Sequence, residues 1–313
     1  IEYLINTFTY EAGVRKLKEF LFEIIREINL CYICDSNKIR LPFTISIQYL
    51  NELFKKKHKI KIKSIHINPS VGLINGLYAT TAGIGGLTTI EVLRTYSTSF
   101  LELILTGNQG DVMKESIKCA KTIAWNLLSN ERKQKLLEKH SNNWSTLKDR
   151  DTGNDYFYNE KTKESTWSKP NDSNISNSFG LHIHTPECAT PKDGPSAGAA
   201  ITIGILSQLT EIPIKNDIAL TGEIDLNGNI TAIGGVCSKL SGAFKAGVVH
   251  AFIPLDNKDD YDEIVREKKL PELIDKTINF KVSLVSHINE LIPQVLVAND
   301  ETFVYNRTRS NTV

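Results

Sequence analysis

Apolar residues at Val14, Leu17, Leu21, Ile24 and Ile28 recur at spacings of three and four. This is the stripe of an amphipathic helix of about five turns starting at Tyr10. The first nine residues cannot supply the apolar surface the stripe needs, so the helix reads as belonging to a unit cut off upstream. Residues 31–65 are polar, irregular and lysine-rich, and read as a connection. Within them, Lys55-Lys56-Lys57-His58-Lys59-Ile60-Lys61-Ile62-Lys63 ends in alternation, which predicts an edge strand guarded by lysine rather than a nucleic-acid site. From Ser64 to Tyr96, β-branched residues and glycines predict two or three strands joined by glycine turns. Gly83-Ile84-Gly85-Gly86 has neither a P-loop lysine nor dinucleotide spacing, and reads as a hairpin turn. Val112 to Leu128 predicts a helix with Ile117, Ala120, Ile123 and Ala124 inward, and Phe179 to Ile183 a strand.

The second half alternates regularly. An apolar run from Ala199 to Leu209 is long enough for a helix, and Asp217 to Thr221 reads as a strand. Gly222 to Gly235 reads as a hairpin around Asn227-Gly228. Helix Val236–Ala246, strand Val248–Pro254, helix Asp259–Lys268, strand Val282–Val285 and helix Ile288–Leu296 complete the pattern. The polar end reads as frayed. Strands alternating with helices predict a mixed α/β, or α+β, domain.

Residues 141–178 break this pattern, with linker-like Ser141-Asn142-Asn143 and Asn171-Asp172-Ser173-Asn174 at either side. Between them lie Trp144, Asp151-Thr152-Gly153-Asn154, Tyr156-Phe157-Tyr158-Asn159, Thr162 and Thr166-Trp167-Ser168-Lys169-Pro170. In this order these features resemble a WW domain, a small three-stranded antiparallel module, here spanning 141–173. The resemblance implies a buried cluster of Trp144, Phe157 and Pro170. It also implies an open groove of Tyr156 and Trp167, tuned by Tyr158, that docks proline-rich peptides. Glu160 stands where that family often has histidine, and Asn142-Asn143 replace its usual Leu-Pro. A sheet insertion that binds nothing is the alternative.

Composition narrows the classes. The 313 residues suit about two domains, and 41% hydrophobic with 23% charged residues reads as soluble and globular. A net charge of +1 gives no global field for nucleic acid or anionic membranes, and no apolar run approaches a membrane span. The five cysteines have no framework spacing, and Cys31-x-x-Cys34 lacks a second pair, so ordinary reduced thiols are expected. His182 and His184, without a third ligand, read as hydrogen-bonded structural residues, and no metal is expected. The chain starts at Ile1 with no signal peptide and reads as a piece of a longer protein.

The chemistry gathers at Thr190-Pro191-Lys192-Asp193-Gly194-Pro195-Ser196-Ala197-Gly198. Asp193 and Pro195 occupy positions favoured for a helix N-cap and first turn. Ser196 would then sit among unpartnered backbone N–H groups at the positive end of a helix dipole, a place to stabilise an oxyanion. For a lone serine a capped helix start is the favoured reading, and it is the whole string that overturns it. With Thr106-Gly107-Asn108, Val112-Met113-Lys114-Glu115-Ser116, His182-Ile183-His184-Thr185-Pro186-Glu187, Thr221-Gly222-Glu223 and Ile233-Gly234-Gly235, the string resembles the proteolytic domain of Lon proteases. That resemblance runs from about residue 65 to 295, apart from the island.

The resemblance implies a serine–lysine dyad, with Ser196 as nucleophile and Lys239 as general base. Thr221 would orient the lysine, and backbone at Ser196, Gly194 and Ala197 would receive the oxyanion. Asp193 would be structural or regulatory, since a carboxylate beside the lysine keeps it charged. A base lysine must be desolvated, because its ordinary pKa of about 10.4 leaves almost none neutral at pH 7. Cys237-Ser238 before the lysine and Cys188 before the serine loop depart from the family pattern. Tyr10-Glu11-Ala12-Gly13-Val14-Arg15 resembles the last helix of the Lon AAA+ module, which implies a nucleotide-sensor role for Arg15. The implied domains are therefore 1–40 as the tail of that ATPase, 41–140 and 174–313 as the two parts of the proteolytic domain, and 141–173 as the insertion. The implied function is an ATP-dependent serine endopeptidase acting on unfolded polypeptides, a homohexamer of the mitochondrial matrix. ATP and Mg would serve the whole protein and not these residues. The alternative is a catalytically quiet scaffold whose insert recruits proline-rich partners.

Overall fold

The computed structural model describes residues 1–9, 13–34, 40–60, 63–81, 83–97, 99–138, 144–149, 153–159, 163–168, 179–188, 190–275 and 277–297. At the start, Glu2–Leu4 (α1) runs into a π-helical turn at Ile5–Thr9, followed by Arg15–Cys34 (α2) and Ile47–Leu53 (α3). The amphipathic helix thus begins at Arg15 rather than Tyr10 and extends past Ile28. Its stripe is not unpartnered. Leu17, Phe20, Leu21, Ile24 and Ile28 pack against Leu4, Phe8, Leu50 and Phe54, with Phe20 and Phe54 edge-to-face at 4.8 Å. The first nine residues therefore do supply apolar surface, and the expected connection contributes the rest through α3. The lysine run forms no strand among its described residues: Lys55–Lys57 turn directly after α3, and Lys57 pairs with Glu23 at 3.0 Å. Lys61 and Ile62 lie outside the described residues.

The next elements are Leu73–Ala79 (β1), Gly85–Tyr96 (β2), Leu103–Thr106 (β3), Asp111–Leu127 (α4) and Asn130–Glu138 (α5). A separate sheet follows in Trp144–Lys148 (β4), Asp155–Asn159 (β5) and Ser165–Thr166 (β6), paired antiparallel in the order β4-β5-β6. The remainder comprises Phe179–His184 (β7), Gly198–Thr210 (α6), Ile218–Leu220 (β8), Glu223–Ile224 (β9), Ile230–Thr231 (β10), Val236–Lys245 (α7), His250–Pro254 (β11), Lys258–Arg266 (α8), Lys281–Val285 (β12) and Ile288–Val295 (α9). Of these, β3, α3 and α5 carry too short or too polar a pattern to have been expected.

Seven strands form one mixed sheet in the order β12-β11-β8-β1-β2-β7-β3. The β1–β2 pair is an antiparallel hairpin with Ala79 opposite Gly85, so the glycine cluster is indeed a turn. Its β8, β11 and β12 side is parallel, as crossovers through helices require. One face carries Ile74, Ile90, Val92, Leu181 and Ile183, covered by α4, α6 and α9. Every residue of α6 except Gln208 is buried, which fits a helix apolar all round, sandwiched between the sheet and α4. The other face carries Leu77, Leu87, Ala219, Ala251 and Ile253 under α7 and α8.

The approach of α7 to the hairpin is unusually close. A Cβ on Gly242 would lie 2.3 Å from the Gly86 nitrogen, and one on Gly85 would lie 1.8 Å from the Ser238 carbonyl oxygen. Backbone cannot yield as a flexible side chain does. Gly242→Ala is therefore expected to destabilise the domain by about 3 kcal/mol, the upper range for an overpacked contact. Thermal unfolding checks it; an unchanged melting temperature would contradict this packing.

Candidate active site

The serine loop is tied down from two sides. On one side, the Gly110 N–H donates to the Lys192 carbonyl at 2.7 Å, and the Lys192 N–H donates to the Asn108 carbonyl at 3.0 Å. The Lys192 ammonium donates to the carbonyls of Glu187 at 2.8 Å, Thr190 at 3.1 Å and Gly107 at 3.3 Å; burial lowers its pKa. The Asp193 carboxylate accepts from the Met113 N–H at 3.0 Å and the Gly194 N–H at 2.9 Å. Asp193 thus caps α4, not the helix that follows Ser196. The reason is spatial: the first turn of α4 has N–H groups without intrahelical partners, that of Met113 meets this loop, and Gly110 has no side chain in the way. A Cβ on Gly110 would lie 2.4 Å from the Asp193 carboxyl carbon. The Ser116 hydroxyl donates to the Pro195 carbonyl at 3.3 Å.

Ser196 itself lies in a 3₁₀ turn, Pro195–Ala197, which leads into α6. Gly194 turns the chain into it at φ 111°, a conformation only glycine takes without strain. From the other side, the Gly222 N–H donates to the Ser196 carbonyl at 2.8 Å, and the Ala199 N–H donates to the Gly222 carbonyl at 3.1 Å. These bonds lock the Ser196 loop to the end of β8.

Lys239 reaches the same place from α7. Its Nζ donates to Thr221 Oγ1 at 3.1 Å, and that hydroxyl donates to the Ser196 carbonyl at 3.2 Å. Thr221 and Lys239 are 2% and 3% exposed, so the amine is out of water. Among the described residues no carboxylate pairs with it. Burial alone lowers its pKa to about 8. The entry to α7 is held by buried Asn257, which accepts from the Ile233 N–H and donates to the Ile233 carbonyl, both at 2.9 Å. Ser196, Lys239, Asp193 and Glu223 line one cleft of 570 Å³, with Tyr78 and Ile233 among its walls. Ser196 is half-buried there, and its hydroxyl makes no hydrogen bond to another described residue. A buried amine of lowered pKa in one cleft with a hydroxyl that has no described partner is suited to nucleophilic chemistry.

Residues 44–143 and 160–298 match the family described as the Lon protease (S16) C-terminal proteolytic domain. The chain belongs to the Lon protease family. It is 32% identical to a Lon protease homolog of Acanthamoeba polyphaga mimivirus over 96% of this chain and 31% of that protein. Lon protease of Clostridioides difficile is 33% identical over 95% of this chain and 31% of its own length. Lon protease of Fusobacterium nucleatum is 37% identical over 85% of this chain and 29% of its own length. The chain therefore spans about a third of the length of the curated relatives it matches. The Lon match skips 144–159, the first two strands of the separate small sheet.

On that small sheet, Phe157 pairs with Thr146 and Thr166, while Tyr156 and Tyr158 share the opposite face. The Tyr156 and Trp167 rings stand 5.7 Å apart, with Trp167 63% exposed. The Trp144 side chain and Pro170, expected to join Phe157 in a cluster, lie outside the described residues. Arg15 is exposed at the start of α2, 3.5 Å from Glu19, and is not part of the cleft. His182 and His184 both hydrogen-bond Thr106 Oγ1, at 2.9 and 2.7 Å. Sequence reasoning gave no role to Ser116, Asn257 or Gly242. Ser116 stood within a quoted Lon-like string, but only the fold shows what it holds.

Proposed function

We propose that this Lon family chain is a serine endopeptidase with Ser196 as nucleophile and Lys239 as general base. The observation that carries the reading is the buried Lys239 amine, hydrogen-bonded to Thr221, which in turn bonds the Ser196 carbonyl. Neutral Lys239 takes the Ser196 proton as Oγ attacks a peptide carbonyl. Backbone N–H groups of Ser196 and Ala197 receive the oxyanion, since Pro195 has none and that of Gly194 is bonded to Asp193. The lysine ammonium then gives its proton to the leaving amine, which departs and leaves an acyl-serine. Water, deprotonated by the same amine, releases the acid and restores the serine. Thr221 Oγ1 accepts one lysine N–H and so aims the lone pair at Ser196.

Unfolded polypeptides are the proposed substrates, a homohexameric ring the proposed assembly and ATP-driven feeding the proposed supply. The sequence given holds no G-x-x-x-x-G-K-[ST] string, and Arg15 alone does not make a nucleotide site. The small sheet is proposed as a WW-like module whose Tyr156–Trp167 pair and neighbouring Tyr158 take proline-rich peptides; the exposed Trp167 ring favours this. The direct test of the peptidase reading is hydrolysis of a fluorogenic peptide by this chain. Turnover that requires Ser196 supports it, and turnover indifferent to Ser196 overturns it.

A further inference from the structure

Glu223 is the first residue of β9 and follows Gly222, whose N–H donates to the Ser196 carbonyl at 2.8 Å. Its place beside the nucleophile is therefore fixed by backbone bonding. Strand alternation sends Ile224 into the core at 5% exposure and leaves Glu223 exposed, on the wall of the Ser196 cleft. Among the described residues no cation pairs with it. Asp193, also on this cleft, is likewise without an ion pair, its carboxylate being bonded to backbone N–H groups. Among the described residues the one cation lining the cleft is Lys239, buried and turned to Thr221. A substrate thus meets two carboxylates at the rim and no accessible positive charge.

We propose that Glu223 selects polypeptide segments by charge, favouring lysine or arginine beside the cut and rejecting aspartate and glutamate. This rests on the peptidase reading above and names the substrate class of that same site. Charges a few ångströms apart at a half-solvated surface shift affinity by a modest amount. The expected preference for a lysine peptide over its glutamate counterpart is about tenfold in kcat/KM.

Two fluorogenic peptides identical except for lysine or glutamate next to the cleaved bond test it on the whole chain. At low salt the lysine peptide is expected to win by about tenfold, and by about twofold at 0.5 M salt as screening sets in. Glu223→Gln is expected to cut the low-salt ratio to about twofold, and Glu223→Lys to invert it. Equal rates in the unmodified chain, a ratio unmoved by salt, or a ratio that survives Glu223→Gln overturns charge selection and leaves Ser196 as nucleophile. The salt titration needs no variant, so it decides even if the substitutions disturb folding. Cleavage that survives Ser196→Ala overturns both readings.

Discussion

Lys239→Met is expected to abolish peptide cleavage while making the domain more stable. Loss of the general base costs about 10³-fold or more in kcat. The stability gain follows from burial. The gap between an ordinary lysine pKa of 10.5 and about 8 corresponds to about 3 kcal/mol, at about 1.4 kcal/mol per pH unit. Below pH 8 the lysine is protonated in folded and unfolded chain alike, and the folded state bears that cost in full. Between pH 8 and 10.5 the unfolded chain binds more protons, so the cost fades as pH rises. Methionine has a similar unbranched reach and no charge to desolvate. After losing the Thr221 bond, of about 1 kcal/mol, the net gain is about 2 kcal/mol near pH 7, vanishes at about pH 10 and turns into a small loss by about pH 10.5. Thermal melts at pH 7 and pH 10.5 check it. A variant less stable at pH 7 would contradict a desolvated amine.

Ser196→Ala is expected to remove cleavage altogether, by about 10⁴-fold or more. The change deletes one oxygen from a half-buried side chain with no described hydrogen-bond partner. The Ser196 carbonyl, which accepts from the Gly222 N–H and the Thr221 hydroxyl, is a backbone group and persists. Stability should therefore change by no more than about 0.5 kcal/mol. Equal melting temperatures beside lost activity separate chemistry from folding. Residual turnover near the unmodified rate would assign the reaction to another residue.

Much of this arrangement was legible because it is local. The apolar run of α6, the Asn227-Gly228 hairpin and the alternation from β8 to α9 each announce themselves within about ten residues. The proposed dyad rests on short strings around Ser196, Thr221 and Lys239, which the fold brings to one cleft except for Thr221, bonded to Lys239 behind it. What was missed is contact at long separation. Asp193 looked like the cap of the helix after it, because a cap is judged from its own neighbours; its true partner, Met113, is set by the fold. Ser116 and Pro195 are likewise brought together only by α4 packing on the serine loop. Gly85 read as a turn glycine and Gly242 was given no role, while both let two backbones touch. The stripe of α2 found partners in α3 because seven residues with a Ser46 cap suffice once tertiary packing supports them.

The measurement that bears most directly on the dyad is the pH dependence of Ser196 acylation by a small neutral fluorophosphonate, with the modified residue located by mass spectrometry. The expected rate rises with pH, has its midpoint near the Lys239 pKa of about 8 and then levels off, and it collapses in Lys239→Met. Labelling absent from Ser196, or a profile the same with and without the lysine, would contradict a serine activated by a dry amine.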